Sequence, residues 1–430
     1  MIKNDDDNLV LVDSINSVDE LNAKFYGRFP YPWQAIRFDY LEDQSFETAM
    51  LNQDIGVWTH DRIPPEPRIW VAGCGTNLAV ITALKFPRAR VIGSDLSPTS
   101  LEICAETAKQ LGVSNLELKQ ESINQVAYRE EFDYIINTGV IHHNADPQAT
   151  LARISAALKP DGVLELMVYN RFQWAIPAAF QKAIRLLGSN GPAIDFDSDL
   201  VIAKTMIGEL PQDTLIGIVG NYRDFSDAML ADELLQPVLH SYTVESLADL
   251  AASCGLEIIL PCLNQLDKAE QKYSWNIEFQ NPRLKEVYES LSDVNRWQVT
   301  NLLLRERAGW LWFYVQRTDS PYQRKSEKEI CEDFLNTTFD RSGTVQRSLV
   351  RNSDGSYRLL PRSISYPAPS ANASVEIIVN AVDGHRTMKE IFQELGGDIA
   401  LPVRLARIML ATSAFPYLKA VTNPATPHAK

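Results

Sequence analysis

The residues best suited to chemistry lie early in the chain. Ile69-Trp-Val-Ala-Gly-Cys-Gly-Thr-Asn77 carries an apolar strand into Gly73-x-Gly75 and then into a helix. A turn of this kind needs glycine, because a Cβ would block both the bend and the close approach of backbone to a ligand. Asp95 stands twenty residues after Gly75, at the end of the next apolar run, where a carboxylate can take both hydroxyls of a ribose. Together these residues point to a nucleotide cofactor.

Two cofactors suit that geometry. A dinucleotide asks for a third glycine at position 78, with its pyrophosphate resting on the helix end, and Leu78 stands there instead. S-adenosylmethionine carries no phosphate and needs a polar slot for its amino-acid part, which Gly73 to Asn77 can offer.

The elements that must position these residues read as alternating strand and helix. Strands are predicted at Arg68 to Ala72, Arg90 to Ser94, Leu116 to Gln120, Phe132 to Asn137 and Val163 to Val168. Helices lie between them: one from about Asn77 to Phe86, one capped by Ser97 with Pro98 in its first turn and Gly112 as its stop, and one containing Leu151, Ile154 and Leu158. Residues 171–235 are helical by pattern and read as an insertion after the fifth strand. Thr243 caps a helix that ends at Gly255, before strands at Leu256 to Leu260 and Trp310 to Gln316.

From Ile69 to Tyr169 the chain resembles class I S-adenosylmethionine methyltransferases. The resemblance rests on VAGCGTN (71–77), GSDLSP (93–98), LKQES (118–122), FDYIINTGVIHH (132–143) and LKPDGVLELMVYN (158–170), five motifs in the family's order. It implies an α/β fold built on a Rossmann-like, seven-stranded, mostly parallel sheet. It further implies that S-adenosyl-L-methionine, leaving as S-adenosyl-L-homocysteine, is held by Gly73, Cys74, Gly75 and Asn77 at its methionine part. Asp95 falls on the ribose, Leu96 against adenine, Glu121 and Ser122 near the adenine amino group, and Asn137 and Thr138 at the edge facing the acceptor. Three positions depart from the family pattern: Val71 stands where an acidic residue is common, Asn77 where glycine is common, and Glu121 where aspartate is common.

Methyl transfer from a sulfonium is an in-line displacement, so the protein aligns the acceptor, excludes water and, where required, removes a proton, without a metal. His142 and His143 follow the fourth strand on the acceptor side and are candidate bases, although in this family the pair also shapes the loop. Tyr169 and Asn170, at the end of the fifth strand, face the same edge as substrate contacts or simply end the strand. Tyr31 and Trp33, in the aromatic cluster Phe25 to Trp33, can close over the sulfonium or cap a sheet edge.

Length and composition fit this reading. The chain has 430 residues, 45% hydrophobic and 22% charged, enough for a large core and a second unit. A net charge of −14 argues against a sequence-independent grip on nucleic acid. Five scattered cysteines without a CxxC pair read as reduced thiols in packed positions. An acidic N-terminus and short apolar runs point to a cytoplasmic protein without a membrane partner.

The expected organisation is an N-terminal extension over 1–66, a cofactor-binding domain over 67–317 with its insertion at about 171–235, a linker over 318–328, and a C-terminal domain over 329–430. In the last, a helix, an Asp-Gly turn and a second helix capped by Thr387 and Glu390 resemble a winged-helix-like module of the kind attached to some methyltransferases. Residues 331–430 hold 11 basic against 9 acidic residues, which favours a protein contact, or plain packing on the catalytic domain, over DNA. The sequence thus predicts a methyltransferase acting on an oxygen, nitrogen or carbon nucleophile of a small molecule or protein side chain. The alternatives are a non-catalytic S-adenosylmethionine-binding regulator and, disfavoured by Leu78, a nicotinamide-dependent oxidoreductase.

Overall fold

A computed structural model describes residues 9–10, 15–33, 35–188, 194–211, 213–214, 222–262, 275–304, 309–399, 401–412 and 415–421. The N-terminal segment contributes β1 (Leu9–Val10), α1 (Ile15–Arg28), β2 (Arg37–Leu41) and α2 (Phe46–Asp54). The central unit follows with β3 (Arg68–Ala72), α3 (Leu78–Lys85), β4 (Arg90–Asp95), α4 (Pro98–Leu111), β5 (Leu116–Gln120), β6 (Phe132–Thr138), α5 (Pro147–Ala157) and β7 (Leu158–Tyr169). Next come α6 (Arg171–Gly188), α7 (Phe196–Glu209), α8 (Asp227–Leu234), β8 (Val238–Leu239), α9 (Val244–Ser253) and β9 (Leu256–Pro261). Then α10 (Pro282–Glu289), α11 (Asp293–Leu303) and β10 (Trp310–Arg317) complete the unit.

Seven strands form one sheet in the order β5-β4-β3-β6-β7-β10-β9. The first five are parallel, and β10 runs antiparallel to both β7 and β9. This is the Rossmann-like, mostly parallel sheet that the sequence predicts. Helices cover it on both faces, so Phe132 to Asn137 of β6 are all buried, the polar Asp133 and Asn137 among them. α4 begins and ends as its sequence dictates: the Ser97 side chain accepts from the Ser100 amide, Pro98 opens the first turn, and Gly112 closes it with φ 68°. β7 begins earlier than the predicted Val163, because Lys159 to Gly162 stay extended and a register shift against β6 absorbs the extra length.

The remaining elements are α12 (Glu327–Leu335), β11 (Phe339–Arg341), β12 (Thr344–Arg351), β13 (Tyr357–Leu359), β14 (Ile364–Tyr366), α13 (Ala373–Ala381), α14 (Met388–Leu395), α15 (Val403–Ala411) and β15 (Leu418–Ala420). The capping box at Thr387 and Glu390 is present at the start of α14. β12 pairs with β13 and β14, and also with β2 over five residues from Gln346↔Leu41 to Val350↔Arg37. α2 joins the same region, where the Gln53 amide donates to the Ala411 and Leu418 carbonyls and accepts from the Ala420 amide. One hydrophobic cluster continues from the sheet into Phe334, Phe339, Val375 and Leu410.

A second cluster stands apart from it. Phe25 of α1 and Phe29 just after it pack with Phe180 and Ile184 of α6, Leu200 and Ala203 of α7, and Leu230 and Leu234 of α8. The insertion and α1 thus form a cap with its own small core over the carboxyl ends of the strands. No helix among the described residues is long and apolar enough to cross a membrane.

A buried ionic cluster joins α11 to the C-terminal helices. Glu327, 2% exposed, meets Arg296 at 3.2 Å, Arg407 at 3.5 Å and Arg404 at 3.6 Å, while Asp293 meets Arg296 and Arg324 at 2.5 Å each. Removing one charge from such a cluster leaves its partners buried without compensation. Glu327→Gln should therefore lower stability by about 3 kcal/mol, read as a lower urea midpoint by tryptophan fluorescence. An unchanged midpoint would show that the arginines find other partners.

Candidate functional site

The order of the sheet reverses between β3 and β6, so their carboxyl ends splay and leave a crevice. The turn after β3 lines it. Gly73 has φ 79°, and a Cβ there would lie 2.5 Å from Val140 on the neighbouring turn. Gly75 has φ 55°, and a Cβ there would lie 2.6 Å from the Tyr31 carbonyl oxygen. Neither position tolerates a side chain without displacing backbone or its neighbour.

Asp95 ties the turn down. Its Oδ2 accepts from the Gly75 amide and its Oδ1 from the Ser97 amide, both at 2.8 Å. Burial raises the proton affinity of this carboxylate above the usual range, against the pull of the Ser97, Gly75 and Leu96 amides. The segment after α1 rests on the same turn: the Thr76 amide donates to the Tyr31 carbonyl at 3.2 Å, and the Thr76 hydroxyl donates to the Pro32 carbonyl.

These residues open on a cavity of about 300 Å³, within the size range of pockets that hold small ligands. Of the residues expected to bind cofactor, Gly73, Cys74, Gly75, Asn77, Asp95, Leu96, Glu121, Ser122 and Thr138 line it. Asn137 does not; it is fully buried, and its Nδ2 donates to the Ala72 carbonyl, locking β6 to β3. Glu121 accepts from the Tyr128 hydroxyl at 2.6 Å. The Ser122 hydroxyl donates to Asp19 of α1 and accepts from the Asn124 amide, so it is already committed within the protein. Asn22, one turn beyond Asp19, also lines the cavity, and its Oδ1 has no partner.

The other side of the cavity, below β7, is aromatic and acidic. Tyr26, Tyr31, Tyr169, Trp174, Asp232, Glu233 and Trp310 face it. Tyr169 stacks on Trp174 with ring centroids 3.4 Å apart. Gln236 donates to the Tyr169 hydroxyl at 3.3 Å and to Asp232 at 3.2 Å. Burial and the neighbouring Glu233 push the Asp232 carboxyl up to about 8, with the Gln236 bond acting against them. Among the described lining residues the charged side chains are Asp95, Glu121, Asp232 and Glu233, and none is lysine or arginine.

The other expected acceptor-side residues divide. Tyr31 lines the cavity, whereas Trp33 lies outside it, 52% exposed and edge-on to Tyr31. Asn170 is buried behind Tyr169, where its Oδ1 accepts from Phe172 and Asn301. His143 lines the cavity, with Nδ1 2.9 Å from the Val238 carbonyl, which fixes the proton on that nitrogen. Burial pushes its pKa down to about 4. His142 is fully buried with neither ring nitrogen bonded, and its ring lies 3.9 Å from that of Tyr169. Burial, with His143 and His240 nearby, lowers its pKa well below the ordinary value. The pair is neutral, and His142 packs beneath Tyr169 without reaching the cavity.

Comparison with known proteins agrees with this geometry. Residues 72–191 match the family model described as a methyltransferase domain. An uncharacterized Synechococcus protein is 28% identical over 244 residues, which are 55% of this chain and 57% of that protein. A ubiquinone biosynthesis O-methyltransferase of Cereibacter sphaeroides is 32% identical over 167 residues, 37% of this chain and 61% of the enzyme. The chain thus spans about three fifths of the length of these curated relatives. The fold is similar to that of PKMT2 from Rickettsia typhi in complex with AdoHcy, with a TM-score of 0.55 and 15% identity over 91% of this chain and 77% of that one. Residues 72–191 thus match a methyltransferase domain, and the sheet that contains them has a Rossmann-like fold.

The neutral histidines have a measurable consequence. Their folded pKa values lie below the ordinary 6.5, so between pH 6.5 and about 4 the unfolded chain binds protons that the folded rings refuse. Stability resting on these neutral rings is complete above 6.5 and is lost as the pH falls toward about 4. Urea midpoints should follow that course, and His142→Phe, which keeps a planar ring, should flatten part of the slope. An equal slope in the variant would mean that His142 titrates freely.

Proposed function

We propose that the chain is an S-adenosylmethionine-dependent methyltransferase that passes a methyl group in line to a nucleophile held at the aromatic end of the cavity. The observation that carries this reading is the glycine turn tied to Asp95 at the reversal of strand order, opening on the same cavity as that aromatic end.

The residues present fit the cofactor. Gly73 and Gly75 leave backbone exposed where the methionine part would lie. Beside the Gly75 and Ser97 amides that it accepts, the Asp95 carboxylate keeps lone-pair capacity for ribose hydroxyl donation. Leu96 and Ile123 supply apolar contact for a base, and the unpartnered Oδ1 of Asn22 suits an amino group beside them. When bound, S-adenosylmethionine supplies a methyl group on a positively charged sulfur.

The chain's own residues do the rest. The turn and Asp95 fix one reactant, Tyr31 and α1 cover the crevice against water, and Tyr169 and Trp174 hold the other reactant against it. Holding both reactants in line is the larger part of catalysis in a displacement of this kind. Val71 is buried inside β3 and offers no charge to the cofactor ammonium group.

Titration calorimetry on the full chain should show S-adenosylhomocysteine binding and no NAD binding. Asp95→Ala should weaken the former at least about tenfold, the loss expected when a charged hydrogen-bond acceptor is removed. Retained affinity would place the ribose elsewhere, and NAD binding without S-adenosylhomocysteine binding would remove the proposal.

A further inference from the structure

The cofactor contacts proposed above leave two carboxylates and a group of aromatic rings at the β7 side of the cavity unused. Asp232 and Glu233 lie in the last turn of α8, where the carbonyl end of the helix adds partial negative charge. Tyr26 comes from α1, Tyr31 from the segment after it, Tyr169 from β7, Trp174 from α6 and Trp310 from β10. Tyr31 and Trp310, 40% and 41% exposed, stand at the mouth, so a ligand reaches the carboxylates between two aromatic faces.

Aromatic faces with nearby carboxylates and no competing cation favour one kind of ligand. Rings attract cations, and desolvation strengthens that attraction. An anionic acceptor such as a carboxylate or phosphate would meet four acidic side chains and no basic side chain among the described lining residues. The groups facing Asp232 are Glu233 on its own helix, Tyr26, Tyr31 and Tyr169 from the other elements, and Asp95 and His143 across the cavity. The three tyrosines are held neutral and His143 is uncharged at neutral pH, so nothing there compensates the carboxylates.

We propose that this end of the cavity receives a protonated amine and that Asp232 takes its proton before methyl transfer, an inference that rests on the methyltransferase reading above. The Asp232 carboxylate accepts one proton from the ammonium, leaving a neutral amine with a free lone pair. That pair forms the new carbon–nitrogen bond as the carbon–sulfur bond breaks, and the electrons of the broken bond stay on sulfur. The product is a methylated ammonium ion, and Asp232 returns its proton to solvent. A carboxyl titrating at about 8 takes up this proton from its ionised form, whose share grows as the pH rises through about 8. Glu233 stays beside the ammonium to hold it, and the aromatic walls orient the nitrogen.

The test uses the full chain saturated with S-adenosylhomocysteine, titrated with n-butylammonium chloride and sodium butyrate at equal ionic strength. Calorimetry and the fluorescence of Trp174 and Trp310 provide the readouts. The ammonium should bind saturably and butyrate should not. Its affinity should rise with pH through about 8 as Asp232 loses its proton, and fall only as the amine itself deprotonates near about 10. Asp232→Asn should weaken ammonium binding at least about tenfold and abolish the rise, leaving S-adenosylhomocysteine affinity unchanged. Glu233→Gln should weaken binding and keep the rise.

Equal binding of butyrate, no saturable ammonium binding, or an unaltered pH course in Asp232→Asn would each overturn the proposal. So would loss of S-adenosylhomocysteine affinity in a variant that melts normally, since the carboxylate would then serve the cofactor ammonium left unpaired by Val71. If Asp232→Asn does not fold, the wild-type pH course and Glu233→Gln decide the matter. Wild-type protein that fails to bind S-adenosylhomocysteine removes the methyltransferase reading itself, before any amine is added.

Discussion

The Asp95 carboxylate accepts two amides, one from the turn after β3 and one from the turn after β4. That pair of bonds sets the separation of the two strand ends and holds Gly75 in a left-handed conformation that other residues rarely adopt. Without a Cβ at Gly75, the Tyr31 carbonyl comes down onto the turn and accepts from Thr76. The segment after α1 then lies across the crevice, and α1 is brought over β5 and β6. The enclosed cavity follows from one side chain and one missing methyl group.

Closure also has to satisfy the polar groups it buries. Asp19 of α1 accepts from Ser122 and from Asn124, Asn124 also donates to Asn144, and Thr150 donates back to Asn124. Asn22 donates to the His143 carbonyl at 2.8 Å. The cap has its own apolar core around Phe25 and Leu230, and beside the stack of Trp174 on Tyr169 of β7 several of its contacts with the sheet end are hydrogen bonds. Polar bonds of this kind exchange with water at small net cost. The boundary between cap and sheet is therefore a weaker seam than either core, and it runs along the cavity.

What the sequence disclosed and what it hid have separate physical causes. The strands and the glycine turn were legible because backbone conformation dictates residue type at the turn and the parallel sheet dictates apolar runs; Asp95 was named from its spacing after Gly75, and Glu121 only from the family resemblance. On the β7 side Tyr31 and Tyr169 were named from the sequence, whereas the two carboxylates were not. In Asp227-Ala-Met-Leu-Ala-Asp-Glu-Leu234, Leu230, Ala231 and Leu234 pack into the cap, and Asp232 and Glu233 read as a solvent-facing polar side. An amphipathic helix that turns its polar face toward an internal cavity has the same pattern as one that turns it toward water. His142 and His143 were visible as residues, yet their burial, which makes them neutral, depends on Val238, Tyr169 and His240 from distant parts of the chain.

The pairing of β2 with β12 lay beyond sequence reading for a related reason: five residues with mixed burial name no partner three hundred positions away. Its consequence reaches the site. Ile36 accepts from the Arg351 amide at 2.8 Å, Ala35 accepts from the Tyr357 hydroxyl at 2.8 Å, and Trp33 accepts from Asn77 at 3.5 Å. Tyr31 to Trp33 are thus held by the glycine turn, and Ala35 and Ile36 by the C-terminal strands. No described residue of the C-terminal elements lines the cavity, yet by holding Ala35 and Ile36 they act on the chain close to Tyr31, which forms part of its wall.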